Sequence, residues 1–209
     1  EFEQEHSVLL VQNPWQTAFV GKVAFAALGT STPLSGWTAD RTEFIGRNRS
    51  TQSPQALVQQ QLLGASAGAA LDPCAALQHS LSLAPGEQIE LVFLLGQTAD
   101  KASALALVQR YRQADLAAEL HKVHLHWQQL LQAVQVKTPD RSMDIMLNGW
   151  LLYQTIACRI YARAAFYQAS GAYGFRDQLQ DSMALSFADP SFTPPQLLKA
   201  AGRQFIEGD

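Results

Sequence analysis

The sequence predicts an α+β fold with its strands first and its helices afterwards, in two segregated parts. Three observations predict it. Short apolar runs closed by Gly, Pro or Asn turns fill the chain up to Gly96. The composition then changes, and residues 99–134 are rich in Ala, Leu and Gln with no Pro and no Gly. From there on, apolar residues recur at helical spacing.

Residues 6–12 are apolar-rich and closed by Asn13-Pro14, a turn signal. Residues 19–28 alternate with small residues and stop at Gly29-Thr30-Ser31. Residues 80–83 lead into Ala84-Pro85-Gly86-Glu87, a hairpin-like turn, and 88–95 read as a strong strand ended by Gly96. Short strands between such turns suggest a sandwich. Residues 55–70, rich in Ala, Gln and Gly, read as loop or short helix. Over 99–134 the spacing of Leu105, Val108, Tyr111, Leu120, Trp127 and Leu131 predicts one long helix or two, broken by Thr138-Pro139-Asp140. A second helix, from about 141 to 167, is apolar almost all round, which predicts burial between other elements. Two more helical stretches follow near 178–186 and 195–206.

Composition narrows the function. The 209 residues are 47% hydrophobic and 16% charged, enough for a core and unlike a disordered chain. A net charge of -3 with no basic block argues against nucleic-acid binding, which rests on phosphate neutralisation. Cys74 and Cys158 suggest neither a disulfide framework nor a zinc site, so a reducing, cytoplasmic setting is expected. No basic-then-apolar leader and no membrane-length apolar run are visible. Both ends read as cuts through a longer chain.

One segment stands out for chemistry. A buried-type helix ends, a Gly- and aromatic-rich loop follows through Tyr173 and Phe175, and Arg176-Asp177-Gln178-Leu179-Gln180-Asp181 opens the next helix. Sugars are bound by such a mixture. Aromatic faces stack on the C–H faces of the ring, and carboxylates, amides and Arg hold hydroxyls. Asp177 and Asp181, four apart, share one helix face, where two like charges need a partner. Arg176 or a ligand hydroxyl could serve. The structural alternative is that Asp177 caps the helix while Arg176 and Asp181 form an ion pair.

Four stretches resemble glycoside hydrolase family 94, which includes inverting β-glucoside phosphorylases and cyclic β-1,2-glucan synthases. They are Asp40-Arg41-Thr42-Glu43-Phe44-Ile45-Gly46-Arg47, Leu71-Asp72-Pro73-Cys74-Ala75-Ala76, Asn148-Gly149-Trp150-Leu151-Leu152-Tyr153-Gln154-Thr155 with Cys158-Arg159, and Gly174 to Asp181 with Met183-Ala184. The resemblance implies the later portion of an antiparallel β-sandwich over 1–98, a helical linker over 99–137, and the first helices of an (α/α)6 barrel over 138–209. It implies that Arg176 and Asp181 hold the sugar beside the scissile bond, with Asp177 and Gln180 in the same motif and Tyr173 and Phe175 lining the pocket.

Inverting cleavage needs an acid for the leaving oxygen and a nucleophile on the opposite face. In a phosphorylase, inorganic phosphate is that nucleophile and needs cationic or N–H donors. The resemblance puts the acid and the phosphate donors beyond Asp209, so no catalytic residue is expected here, nor any cofactor or metal. The implied partners are a β-glucan oligosaccharide and phosphate or glucose 1-phosphate, with a homodimer as a candidate assembly. A membrane would be met only through other parts of the parent protein, on the cytoplasmic side. Exposed apolar faces at Leu147, Leu151 and Ile156 would favour self-association.

Other signals are weaker. Gly64-Ala65-Ser66-Ala67-Gly68 fits a hydrolase elbow, but that motif needs a strand, a sharp turn and a helix. His121, His124 and His126 near Glu119 read as a solvated helix rather than a metal site. Trp127 and Trp150 read as core, and Trp15 and Trp37 as sandwich packing or sugar platforms. Arg41, Glu43 and Arg47 read as a solvated strand edge or a salt bridge, or as a loop reaching the barrel mouth.

Overall fold

A computed structural model describes residues 1–15, 20–30, 32–161 and 175–208. The chain divides into two compact units, Glu1–Leu116 and Ala117–Asp209.

The first unit is built on an antiparallel sheet in the order β1-β2-β3-β6, formed by Phe2–Glu3, Val8–Gln12, Val23–Leu28 and Phe93–Thr98. Register pairs Leu10 with Phe25, and Phe25 with Gly96. Side chains alternate across a strand, so Val8, Leu10, Val23, Phe25 and Ala27 share one face. Ala104 and Val108 of α3 (Lys101–Arg112) close that face into a core. They lie four apart, as one stripe of a helix must. Asp100 starts α3 by accepting from the Ser103 N–H at 2.7 Å.

A second sheet pairs β4 (Gly36–Asp40) with β5 (Pro73–Gln78). The Phe2 ring stacks on Trp37 at 4.2 Å. Two short helices lie between these strands, α1 (Arg41–Ile45), capped by Asp40, and α2 (Gln55–Val58).

Several local expectations are corrected. Gly96 does not end its strand. It sits in the middle of β6 because the Phe25 ring occupies the space a side chain would need. Residues 80–83 and 88–92 form no strand, and the pairing partners of the second sheet are β4 and β5. Arg41 and Glu43 stand on a one-turn helix rather than a strand edge. Trp15, read as sandwich packing or a sugar platform, is 92% exposed among the described residues.

The second unit is helical: α4 (Leu116–Leu131), α5 (Arg141–Ile145), α6 (Leu151–Gln154), α7 (Phe175–Met183) and α8 (Thr193–Ala201). The expected pair of helices over 99–134 is therefore α3 and α4. The apolar helix after Asp140 is not regular. Asn148 and Gly149 depart from helical geometry, Gly149 with φ of 153°, a region open to glycine. Asn148 clamps the backbone of Val136, accepting from its N–H at 2.6 Å and donating to its carbonyl at 2.8 Å. Thr155–Tyr161 then widens into a π-helical segment. Leu130, Ile156 and Leu185 form the core of this unit, with Trp127 and Leu152 packed around them.

The all-round apolar helix is only partly covered. Trp150 and Leu151 are about half exposed, whereas Ile156, expected on the exposed face, is fully buried. Among the described residues, Leu152, Ile156 and Ile160 of the segment pack with Trp127 and Leu130 of α4 and with Leu185. No helix among the described residues is long and apolar enough to cross a membrane.

Candidate functional site

The polar cluster lies on α7, whose two long faces explain its arrangement. Gln178, Ser182 and Leu185 point inward and are buried. The Ser182 hydroxyl donates to the Leu179 carbonyl at 2.8 Å, and its carbonyl accepts from Thr193 Oγ1 at 3.2 Å. These contacts tie α7 to the start of α8 and fix how the helix is rotated. The Gln178 amide nitrogen is buried without an acceptor among the described residues.

That rotation places Asp177 and Asp181 together on the flank next to the core, and both are partly buried. Arg176 and Gln180 lie on the outward side and are exposed, and Phe175 is 44% exposed. Tyr173 lies outside the described residues. At about 100° per residue, Arg176 and Asp181 are about 140° apart around the axis. They flank Asp177 and do not pair with each other. Asp177 lies inside the first turn of the helix, so it is not the capping residue.

The partner of Asp181 comes from elsewhere. Arg159, on the π-helical segment, places its Nε 2.6 Å from Asp181 Oδ2. Arg176 reaches only Asp177, with its Nη2 3.5 Å from Oδ1, and its own side chain is 82% exposed. The strong pair of the site is therefore Arg159–Asp181. In the sequence Arg159 shares a mostly apolar predicted helix with Arg163, and what marked it was its place in the Cys158-Arg159 stretch that resembles the family. Chemically the site offers carboxylate acceptors, an amide and guanidinium donors, a set suited to hydroxyl groups.

In the first unit, Glu43 forms a second polar knot. Its Oε2 accepts from the buried Thr38 hydroxyl at 2.6 Å, and its Oε1 from the Gly64 N–H at 2.5 Å. Burial works to raise the Glu43 carboxyl. Hydrogen bonds from Thr38, Gly64 and Ser66 outweigh it and hold the group below the usual value. Residues 64–66 run alongside β4, with the Ala65 N–H on the Trp37 carbonyl at 2.9 Å and the Ala39 N–H on the Ser66 carbonyl at 2.7 Å. Ser66 is therefore in an extended edge with no helix after it, and the hydrolase elbow is excluded.

His121, His124 and His126 are exposed on α4, where Glu119 pairs with Lys122 at 2.6 Å. Among the described residues, the ligand atoms that converge within 4.8 Å belong to Glu3, Glu5 and His6. There His6 Nδ1 already lies 3.0 Å from Glu3 Oε2.

An antiparallel sheet unit followed by a helical unit is the order of domains that comparison with known families finds. Residues 1–114 match the glycosyl hydrolase 94 supersandwich domain, and residues 126–209 match the catalytic domain of the glycosyl hydrolase 94 superfamily. The chain belongs to glycoside hydrolase family 94.

Among curated relatives, it is 38% identical over all 209 residues to the cyclic beta-(1,2)-glucan synthase NdvB of Rhizobium meliloti (strain 1021). It is 29% identical over 178 residues, 83% of this chain, to the N,N'-diacetylchitobiose phosphorylase of Vibrio proteolyticus. It is 28% identical over 184 residues, 84% of this chain, to the cellobionic acid phosphorylase of Neurospora crassa. The chain spans 7% of the length of the synthase and 22% of each of these phosphorylases.

Proposed function

We propose that this chain is part of a β-glucan phosphorylase-like protein, acting by inverting phosphorolysis or in chain-length control of β-1,2-glucan, within a cyclic β-1,2-glucan synthase. The observation that carries the reading is the 38% identity to such a synthase along the entire chain. The polar run Arg176 to Asp181 on a single helix supports it. On this reading residues 1–98 are the later part of a β-sandwich, 99–137 a linker and 138–209 the start of an (α/α)6 barrel. Arg176 and Asp181 hold the sugar beside the scissile bond. Asp177, Gln180, Tyr173 and Phe175 complete its surroundings.

Phosphate attacks the anomeric carbon opposite the leaving oxygen, so no base carboxylate is needed. The acid and the phosphate donors come from outside these residues, and the chain alone turns over no substrate. A free-standing oligoglucan phosphorylase is the second reading, supported by the phosphorylases among the relatives.

The test uses the intact protein with β-1,2-glucan and inorganic phosphate, assayed for α-glucose 1-phosphate. Wild type should form it, and Asp181→Asn should lose it by about tenfold or more, the scale of a lost charged hydrogen bond. Product from wild type with an unaffected variant would leave the activity and remove the role of Asp181. No product from wild type would favour a domain that binds glycan without cleaving it.

A further inference from the structure

Asp181 is held unevenly. Its Oδ2 accepts from Arg159 Nε at 2.6 Å, while among the described residues no donor reaches its Oδ1. Both side chains are largely withdrawn from water, 16% exposed for Arg159 and 24% for Asp181. A charge-assisted hydrogen bond is stronger in such surroundings than at a wet surface.

The arginine is itself held in place. It lies on the π-helical segment Thr155–Tyr161, three residues after the fully buried Ile156. Ile156 joins Leu185 in the core, and Leu185 lies four residues after Asp181 on the α7 side. Packing and ion pair thus form two rungs between the same two segments. Rungs 156–185 and 159–181 run in opposite senses along the chain, so the segments are antiparallel there. The wider π turn re-aims a side chain relative to a regular helix, and such turns recur at functional sites. Asp177 shares a flank with Asp181 and would repel it, and Arg159 offsets that repulsion.

We propose that Arg159 is a positioning residue for sugar binding. It immobilises one oxygen of Asp181 and thereby presents the other to a hydroxyl of the glucan. The proposal rests on the reading in which α7 holds the sugar. It names a residue 22 positions away from its target, on another element.

The experiment is a double-mutant cycle in the intact protein. Wild type, Arg159→Gln, Asp181→Asn and the double variant are assayed for phosphorolysis of β-1,2-glucan, varying glucan and phosphate separately. Arg159→Gln should reduce kcat/KM for glucan by about tenfold to a hundredfold, the size expected for a charged hydrogen bond. KM for phosphate should stay within about twofold. In the Asp181→Asn background the further loss should shrink to less than about twofold, because the two residues act as a unit.

Equal losses in both backgrounds, or a parallel rise in both KM values, would indicate a merely structural role and overturn the proposal. Normal glucan kinetics in Arg159→Gln, with Asp181→Asn impaired, would overturn it while leaving the sugar site in place. Unimpaired Asp181→Asn, or no phosphorolysis by wild type, would remove the underlying reading and this proposal with it. Should Arg159→Gln not fold, Arg159→Lys decides. It keeps the charge and loses the planar fork, and should show a smaller loss confined to glucan. Wild-type glucan kinetics in Arg159→Lys would then overturn the proposal.

Discussion

Single carboxylates do the positioning in both units. Glu43 ties its own helix to nearby β4 through the Thr38 hydroxyl and to the distant segment 64–66 through Gly64 and Ser66. Its folded carboxyl is held below the ordinary value of 4.5, so its contribution is complete above that value and is lost as pH falls through the lower folded one. Glu43→Gln should therefore destabilise the first unit at neutral pH by about 2 kcal/mol, the scale of a lost charged hydrogen bond. It should also flatten the acid limb of stability below pH 4.5. Urea midpoints at pH 7 and pH 3.5 check both, and an unchanged acid limb would refute the linkage. At this scale the sequence was informative where polar residues were dense, as from Arg176 to Asp181. It was silent on Arg159–Asp181 and on Glu43–Gly64, because pairs separated by 22 and 21 positions meet only once the chain has folded.

Elements with strong local signals were legible, and those fixed by tertiary pairing were not. The change from strands to helices followed from composition, and the Thr138-Pro139-Asp140 break preceded α5 as read. β4 reads Gly-Trp-Thr-Ala-Asp and β5 opens with Pro73, so neither offers the usual apolar alternation, and they are strands because they pair with each other. Gly96 misled for a related reason. Glycine marks a strand end in a sequence, yet here it marks close approach of a ring within a pair. Gly96→Ala should drive its methyl into the buried Phe25 ring and cost about 1–3 kcal/mol, the range for overpacking. A drop in the denaturation midpoint that Phe25→Leu partly restores would confirm the steric cause. Additive losses in the double variant would point instead to strand propensity.

Each unit closes its own core, and the proposed sugar site lies in the second. Val8, Phe25, Ala104 and Val108 make the first core, and Leu130, Ile156 and Leu185 the second. Ile156 has no exposed surface, and truncating it leaves a cavity that its neighbours fill only partly. Ile156→Ala should cost about 2–5 kcal/mol. Hydrogen exchange should quicken at the amides of α7 while those of β3, centred on the other core, keep their protection. Because Ile156 is also the packed rung beside Arg159–Asp181, the same substitution should loosen that ion pair. Val108→Ala should weaken the β3 amides and leave glucan kinetics alone. If Ile156→Ala speeds exchange equally across β3 and α7, the two cores open together, and the proposed sugar site draws its rigidity from the whole chain rather than from the segment that carries Arg159.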